Sequence, residues 1–170
     1  MLKPLFRWAG AKTKMKKKYG DEFFPNSYDR FVEPFLGTAC VSMWAYQNNR
    51  DVEIFANDFN EDIINIYQHI KTDSKIFCDR VDEYQSQYIP LDHEGRRKYY
   101  YDLRHQHGWD YDSIPLDERA AMMYFLLKTS FNGFWQINQN TNNKFGTPVG
   151  LANEKDVVYK KQDVMDFAEF

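Results

Sequence analysis

Two carboxylates stand where an apolar segment passes into a loop. Glu33 lies in the stretch FVEPFLGTAC (residues 31–40), and Asp58 follows the stretch VEIFAN. Ligands of open parallel sheets bind outside the carboxyl ends of the strands, and an acidic residue about twenty positions beyond a strand–glycine turn is well placed to bind ribose hydroxyls. The pattern predicts a nucleoside-like ligand, although a purely structural turn would explain Glu33 and Asp58 equally well.

The glycine content of this turn narrows the kind of ligand. A dinucleotide site normally needs the pattern G-x-G-x-x-G, which lets a pyrophosphate approach the N-terminus of a helix. The turn after Glu33 contains only Gly37. The sequence therefore predicts a ligand that lacks a pyrophosphate.

The segments around the two carboxylates alternate between strand and helix. Residues 29–35 and 52–60 have the character of strands, whereas residues 39–49 and 61–71 have the apolar spacing of helices. Strand, helix, strand and helix of these lengths form a βαβ unit with parallel strands. The predicted fold class is therefore α/β, and a short basic helix that ends at Gly20 precedes the first strand.

The alternation of strand and helix ends after residue 71. The sequence predicts three helices here, with no strand between them. The first has apolar residues at helical spacing up to Tyr88, the second ends at Gly108, and the third has Pro115 in its first turn. Residues 132–150 are rich in asparagine, glycine and threonine, which predicts a hairpin or a loop. The last twenty residues give mixed signals.

Composition and charge limit the class of protein. The 170 residues suffice for one domain, and an apolar fraction of 43% supports a sizeable core. The chain has no apolar run of membrane-spanning length, no secretory signal and only two cysteines, so a cytoplasmic location is expected. The net charge of −3 argues against general nucleic-acid binding, but the carboxylate-free stretches 1–20 and 119–150 predict local contact with anions.

Four stretches together resemble the signature stretches of one enzyme family. In chain order they are PLFRWAGAKTKM, FVEPFLGTACV, ANDFNEDIINIYQHI and FNGFWQINQNTNNKFGTPVGL. They resemble the Dam-like (D12 class) adenine-N6 DNA methyltransferases, in the form found in bacteriophages, and the resemblance covers nearly the whole chain. It implies a partial Rossmann-like, S-adenosylmethionine-dependent methyltransferase core with a helical target-recognition insertion.

The resemblance implies that S-adenosylmethionine is the cofactor. In the family, the tryptophan and lysine of a W-A-G-G-K stretch line the cofactor site, an E-P-F-x-G loop surrounds the methionine moiety, and an acidic residue holds the ribose hydroxyls. Here Ala11 replaces the second glycine of the first stretch. The matching residues are Trp8, Ala9, Gly10, Lys12, Glu33, Pro34, Phe35, Gly37 and Asp58.

The resemblance also implies contact with double-stranded DNA through residues 131–150. In the family, a Y/F-N-G-L/F turn approaches the DNA backbone beside the extruded base, and a hairpin follows it. Gln136 stands where many relatives have an arginine that reads guanine; because glutamine suits adenine, a G-A-T-C target is in doubt. The implied DNA-binding residues are Phe131, Asn132, Gly133, Phe134, Gln136, Asn138, Lys144 and Pro148.

One family signature is missing from these 170 residues. Relatives hold the extruded adenine with D-P-P-Y or N-P-P-Y, which places hydrogen-bond acceptors on its amino group. None of the six prolines here is adjacent to another, so no catalytic residue is assigned. Three hypotheses remain: an enzyme that is truncated or split and completed by a second chain, a non-catalytic remnant that binds DNA or cofactor, and self-association that covers an exposed sheet edge.

The expected organisation has three parts. Residues 1–72 form the N-terminal part of the cofactor-binding core, residues 73–150 form the helical DNA-recognition region, and residues 151–170 begin the return to the core.

Other chemistries are disfavoured. The histidines lack metal-ligand spacing, which argues against a metal site, and the serines lack the Gly-x-Ser-x-Gly context of a hydrolase.

Overall fold

Six α-helices and two small sheets make up the part of the chain that the computed structural model describes, residues 2–10, 12–150 and 157–170. The helices are α1 (Thr13–Tyr19), α2 (Cys40–Asn48), α3 (Glu61–Tyr88), α4 (His93–Trp109), α5 (Leu116–Thr129) and α6 (Lys161–Glu169). The strands are β1 (Arg30–Glu33), β2 (Glu53–Ala56), β3 (Ile137–Asn138) and β4 (Lys144–Phe145). Helices and strands are mixed along the chain, as expected for an α/β protein.

The first sheet consists of β1 and β2, which pair in parallel and are joined through α2. The register aligns Glu33 with Ala56. Backbone hydrogen bonds continue past the strand ends, because the Asn57 N–H donates to the Glu33 carbonyl at 2.9 Å and the Leu36 N–H donates to the Asn57 carbonyl at 2.8 Å. The predicted βαβ unit is thus confirmed, and the loops after both strands lie at the same edge of the sheet.

The long helix α3 differs from the prediction. Its 28 residues run from Glu61 to Tyr88, so the helix predicted to end at residue 71 and the first helix of the predicted insertion are one element. Asp73 has extended backbone angles and kinks the helix, and its side chain accepts a hydrogen bond from the Ile76 N–H at 2.9 Å, as an N-cap does. The buried residues Ile70 and Phe77 are two helical turns apart, so the apolar stripe keeps its phase through the kink. The polar residues 71–75 between them explain why the sequence suggests two helices.

The core lies between α3, α5 and α6. Residues 120–127 of α5 are all buried, and a helix that is apolar on every side must be enclosed by its neighbours. Helix α6, which the sequence does not predict, packs against α3 through the Phe167 ring, stacked on Tyr67 with 5.1 Å between ring centroids. Within the described ranges, no helix combines the length and apolar character that crossing a membrane requires.

The second sheet is the short antiparallel hairpin of β3 and β4, one of the two alternatives that the sequence left open for residues 132–150. Helix α4 supports it from behind. The Arg104 guanidinium donates to the carbonyls of Gly146 and Thr147 at 2.9 and 3.1 Å, and the Tyr100 hydroxyl donates to the Thr147 carbonyl at 2.8 Å. The hairpin is thereby fixed to the helical part of the chain although its strands are only two residues long.

Candidate functional site

A cavity of about 230 Å³ opens at the carboxyl ends of β1 and β2. It is formed by the N-terminal segment, the loop that joins β1 to α2, and the end of β2. Of the nine residues that the sequence assigns to a cofactor, eight line this cavity: Trp8, Ala9, Gly10, Lys12, Glu33, Phe35, Gly37 and Asp58. The ninth, Pro34, is exposed between Glu33 and Phe35 and does not line it.

Gly37 is held from both sides of its backbone. Its N–H donates to Asp58 Oδ2 at 2.8 Å, and its carbonyl accepts a hydrogen bond from the Tyr67 hydroxyl at 2.9 Å. Its φ of +49° is strained for other residues, and a Cβ here would lie 3.1 Å from Trp8 Cδ1. The positive φ and the close approach of the Trp8 ring together favour glycine at this position.

Asp58 links the two strand ends and retains acceptor capacity. Besides its bond to Gly37, Asp58 accepts a hydrogen bond at Oδ1 from the Asn60 N–H at 2.9 Å. A carboxylate has about four lone-pair positions, so two internal bonds leave room for donors of a ligand. The half-buried carboxylate can therefore hold the loop and accept hydrogen bonds in the cavity at the same time.

Glu33 is anchored at the start of α2. The backbone N–H of buried Ser42 donates to Glu33 Oε2 at 2.9 Å, and the Ser42 hydroxyl donates to the same oxygen. Burial raises the pKa of the Glu33 carboxyl, while the bonds from Ser42 and the Lys12 ammonium act in the opposite direction. The Glu33 carboxylate consequently becomes protonated at a higher pH than an ordinary glutamate.

A tight turn precedes the hairpin and rests on the N-terminal segment. Asn132 and Gly133 have φ values of +54° and +64°, and a Cβ on Gly133 would lie 2.7 Å from Arg7 Cβ. Next to this turn, the Trp135 ring contacts the Trp8 ring with 5.8 Å between centroids. The turn thus lies against Arg7, and the neighbouring residue Trp8 lines the cavity.

The eight residues assigned to DNA are distributed over this turn and the hairpin. Five of them are exposed: Phe131, Asn132, Phe134, Gln136 and Pro148. Asn138 and Lys144 are half-buried, and Gly133 is buried. The Asn138 side chain accepts a hydrogen bond from the Asn140 N–H at 2.8 Å, and Lys144 Nζ lies 3.6 Å from the centroid of the Tyr111 ring.

Comparison with known proteins identifies the family. A sequence model of the D12 class N6 adenine-specific DNA methyltransferases matches residues 8–167. The chain belongs to this family. The resemblance to the D12 class inferred from the four signature stretches is thus confirmed.

Three relatives show how similar the sequences are and how much of each chain the similarity covers. The type II methyltransferase M.MjaIII of Methanocaldococcus jannaschii is 26% identical over 153 residues, which are 88% of this chain and 52% of the relative. M1.LlaDCHI of Lactococcus lactis subsp. cremoris is 27% identical over 94% of this chain and 52% of its own length, and the DNA adenine methylase of Haemophilus influenzae is 28% identical over 87% and 47%. The chain spans about half the length of the curated relatives it matches.

Several residues at the cavity of this D12-class chain were not predicted from the sequence. Leu36, Thr38 and Cys40 also line it. Ser42 and Tyr67 hold its loop through hydrogen bonds to Glu33 and Gly37. Tyr67 belongs to the apolar stripe of α3, so its spacing indicates only a core residue, and nothing in the sequence marks Ser42.

The described residues also bear on a metal site. Among residues 2–10, 12–150 and 157–170, no group of three or more histidine, cysteine, aspartate or glutamate side chains could hold a metal ion. The buried His107 instead lies 3.5 Å from Asp62 (Nε2 to Oδ2), and Asp62 also accepts a hydrogen bond from the Tyr111 hydroxyl. The carboxylates of the cavity in this D12-class chain are bound to backbone and hydroxyl donors.

Proposed function

We propose that this chain provides the S-adenosylmethionine site and the DNA-recognition surface of an adenine-N6 DNA methyltransferase with a Rossmann-like core. The observation that carries the proposal is the cavity at the ends of β1 and β2, lined by eight of the nine residues assigned to the cofactor. Those residues come from three separated stretches of the chain. Their convergence at the edge where parallel strands end supports a ligand site rather than a structural turn.

The chemistry of the cavity fits this cofactor. S-adenosylmethionine supplies a methyl group on a cationic sulfonium centre, together with an ammonium group and ribose hydroxyls. Glu33 and Asp58 offer negative charge and acceptors, and Trp8 and Phe35 offer aromatic surface. Because pockets for drug-sized ligands have volumes of about 300–1,000 Å³, the cavity would enclose part of the molecule.

The DNA surface is proposed on the exposed residues of the turn and the hairpin. Phe131 and Phe134 expose 42% and 45% of their surface although both are large and apolar. Stretch 119–150 has no carboxylate, so a phosphate backbone would meet no like charge there. Exposed aromatic rings can stack against unpaired bases, as enzymes that extrude a base require.

The proposal is tested by titrating the purified chain with S-adenosylmethionine and, separately, with an unmethylated duplex. The expected result is saturable binding of both ligands, each seen by calorimetry. If the addition of S-adenosylmethionine produces no heat beyond that of dilution, the cofactor assignment is contradicted. Equal dissociation constants for adenosine and S-adenosylmethionine would contradict the roles of the cationic groups.

A non-catalytic binding protein of the same fold is the second candidate, because the cavity and the exposed turn could bind cofactor and DNA without methyl transfer. Transfer of a labelled methyl group to duplex DNA distinguishes the two. Label in adenine would show that residues of this chain serve as acceptors for the amino protons. DNA binding without any transfer, when the cofactor also binds, would favour the binding protein or an enzyme that needs a second polypeptide.

Replacing Lys144 with alanine is expected to weaken duplex binding and to reduce the slope of log affinity against log salt by about one. The reason is that one ammonium group at the hairpin no longer displaces a counterion. Fluorescence anisotropy of a labelled duplex at several salt concentrations measures both quantities. Lys98→Ala is the matched control, since Lys98 is paired with Asp102 at 2.6 Å on α4. Equal slopes for the original chain and Lys144→Ala would remove Lys144 from the interface.

Cofactor affinity is expected to fall when the pH is lowered from about 7 to about 5. Glu33 has a raised pKa because it is buried, so it becomes neutral at a higher pH than an ordinary glutamate and then no longer attracts a cationic ligand. Calorimetry at several pH values measures the effect. Glu33→Gln should bind more weakly at neutral pH and show a smaller decrease on acidification. An identical pH profile for the two proteins would contradict the role of this carboxylate.

A further inference from the structure

Beyond the residues that line the cavity, a buried tyrosine on α3 contacts the loop from the protein side. Tyr67 is 6% exposed, and its hydroxyl donates to the Gly37 carbonyl at 2.9 Å. The N–H of the same glycine donates to Asp58. Both ends of the Gly37 backbone are therefore fixed, one by a proposed ligand-binding side chain and the other by a residue that does not line the cavity.

The position of Gly37 determines where two cavity residues can lie. The Trp8 ring lies against Gly37, since a Cβ there would be only 3.1 Å from Trp8 Cδ1. Asp58 is oriented by its bond to the Gly37 N–H. A rotation of the loop at Gly37 would move the surface against which Trp8 packs and would leave Asp58 held only by the Asn60 N–H.

Tyr67 is itself fixed by its ring neighbours. Its ring stacks on Phe167 of α6 with 5.1 Å between centroids and lies 5.8 Å from the Phe6 ring. Burial raises the pKa of Tyr67 well above its usual value, so the hydroxyl keeps its proton and remains a donor at physiological pH. A phenylalanine could retain these ring contacts and lose only the hydrogen bond.

We infer that Tyr67 is a positioning residue for cofactor binding: its hydroxyl fixes the Gly37 carbonyl and with it the loop backbone that contacts Trp8 and Asp58. The inference rests on the proposed cofactor site and adds to it a residue of α3 that the ligand does not touch. Through Phe167 it also ties the geometry of the loop to the packing of α6.

Tyr67→Phe is the test, with two measurements. Calorimetry with S-adenosylmethionine should show a dissociation constant about threefold to tenfold higher, the effect of one lost hydrogen bond. The amide resonance of Thr38, whose N–H belongs to the same peptide unit as the Gly37 carbonyl, should shift in a ¹⁵N–¹H spectrum recorded without ligand.

Tyr159→Phe is the matched control, since it removes another buried tyrosine hydroxyl, which donates to the Cys78 carbonyl and to Asp82. It should lower thermal stability without changing the affinity for the cofactor. An unchanged dissociation constant for Tyr67→Phe, with binding by the original chain intact, would overturn the inference. If the original chain does not bind S-adenosylmethionine, the proposed function fails. The Thr38 resonance then decides separately whether Tyr67 sets the loop, and an unshifted resonance would overturn the inference by itself.

Discussion

Replacing Asp58 with alanine is expected to abolish measurable binding of S-adenosylmethionine. The carboxylate accepts hydrogen bonds from the backbone N–H groups of Gly37 and Asn60, and its remaining lone pairs face the cavity in our proposal. The change removes ligand acceptors and also frees the loop that carries Gly37. Because a hydrogen bond to a charged group contributes about 1.5–3 kcal/mol, losing two such bonds to a ligand corresponds to at least about a hundredfold in affinity.

Calorimetry on the purified variant measures this effect, and a thermal melt checks that the chain remains folded. Asp51→Ala is the matched control, because Asp51 is an exposed aspartate in the turn before β2 and does not line the cavity. It should bind the cofactor as the original chain does. Unchanged affinity in Asp58→Ala would refute the ribose assignment.

Replacing Gly146 with alanine is expected to reduce duplex affinity at least about tenfold while leaving cofactor affinity unchanged. A Cβ at this position would collide with Asn138 Cβ and lie 3.0 Å from the Asn138 backbone nitrogen, so β3 and β4 cannot keep their spacing. The Gly146 N–H also donates to the Gln136 carbonyl at 2.7 Å, a bond that the displaced strand would lose. Overpacking of this kind costs about 1–3 kcal/mol.

Anisotropy with a labelled duplex and calorimetry with S-adenosylmethionine separate the two effects. Gly20→Ala serves as the control, because Gly20 has a positive φ but nothing within 4 Å of the position that a Cβ would take. The Gly20→Ala variant should introduce only backbone strain at residue 20 and should bind the duplex with unchanged affinity. If Gly146→Ala binds the duplex as tightly as the original chain, the hairpin is not the recognition surface.

The sequence predicted the cavity better than it predicted the helices around it. Glu33, Gly37 and Asp58 could be placed together because parallel strands bring the residues after their carboxyl ends to one edge, a rule that needs only the order of elements. The N-terminal residues 8–12 could be added only through the resemblance to the family. No local pattern shows that this segment folds back onto the loop after β1.

The helical part was harder to predict because its boundaries depend on tertiary contacts. Asp73 caps a helical segment, yet α3 continues through it because both halves pack against the same core. Helix α6 is too short for its apolar spacing to predict a helix from the sequence. It is stabilised because Val164 and Phe167 are buried against the rest of the chain. The division of the chain at residue 72 therefore stays a prediction, since α3 spans it.

The hydrogen bonds of the candidate site could not be derived from residue types. Ser42 has no signature that predicts two bonds to Glu33, and the α3 stripe marks Tyr67 only as a core residue. Likewise, the contact between Trp8 and Trp135 joins residues that lie far apart in the sequence. Such contacts arise only once the N-terminal segment, the β1–α2 loop and the hairpin are in place.

Photolabelling is the most direct test of the central claim that the cavity at the ends of β1 and β2 binds S-adenosylmethionine. The chain is irradiated with cofactor that is tritiated in its methyl group, digested, and analysed for labelled peptides. We predict label in the peptides that contain residues 8–12 or 33–40, with none in Asp58→Ala treated identically. Label confined to peptides outside the cavity, or equal labelling of the original chain and Asp58→Ala, would contradict the claim.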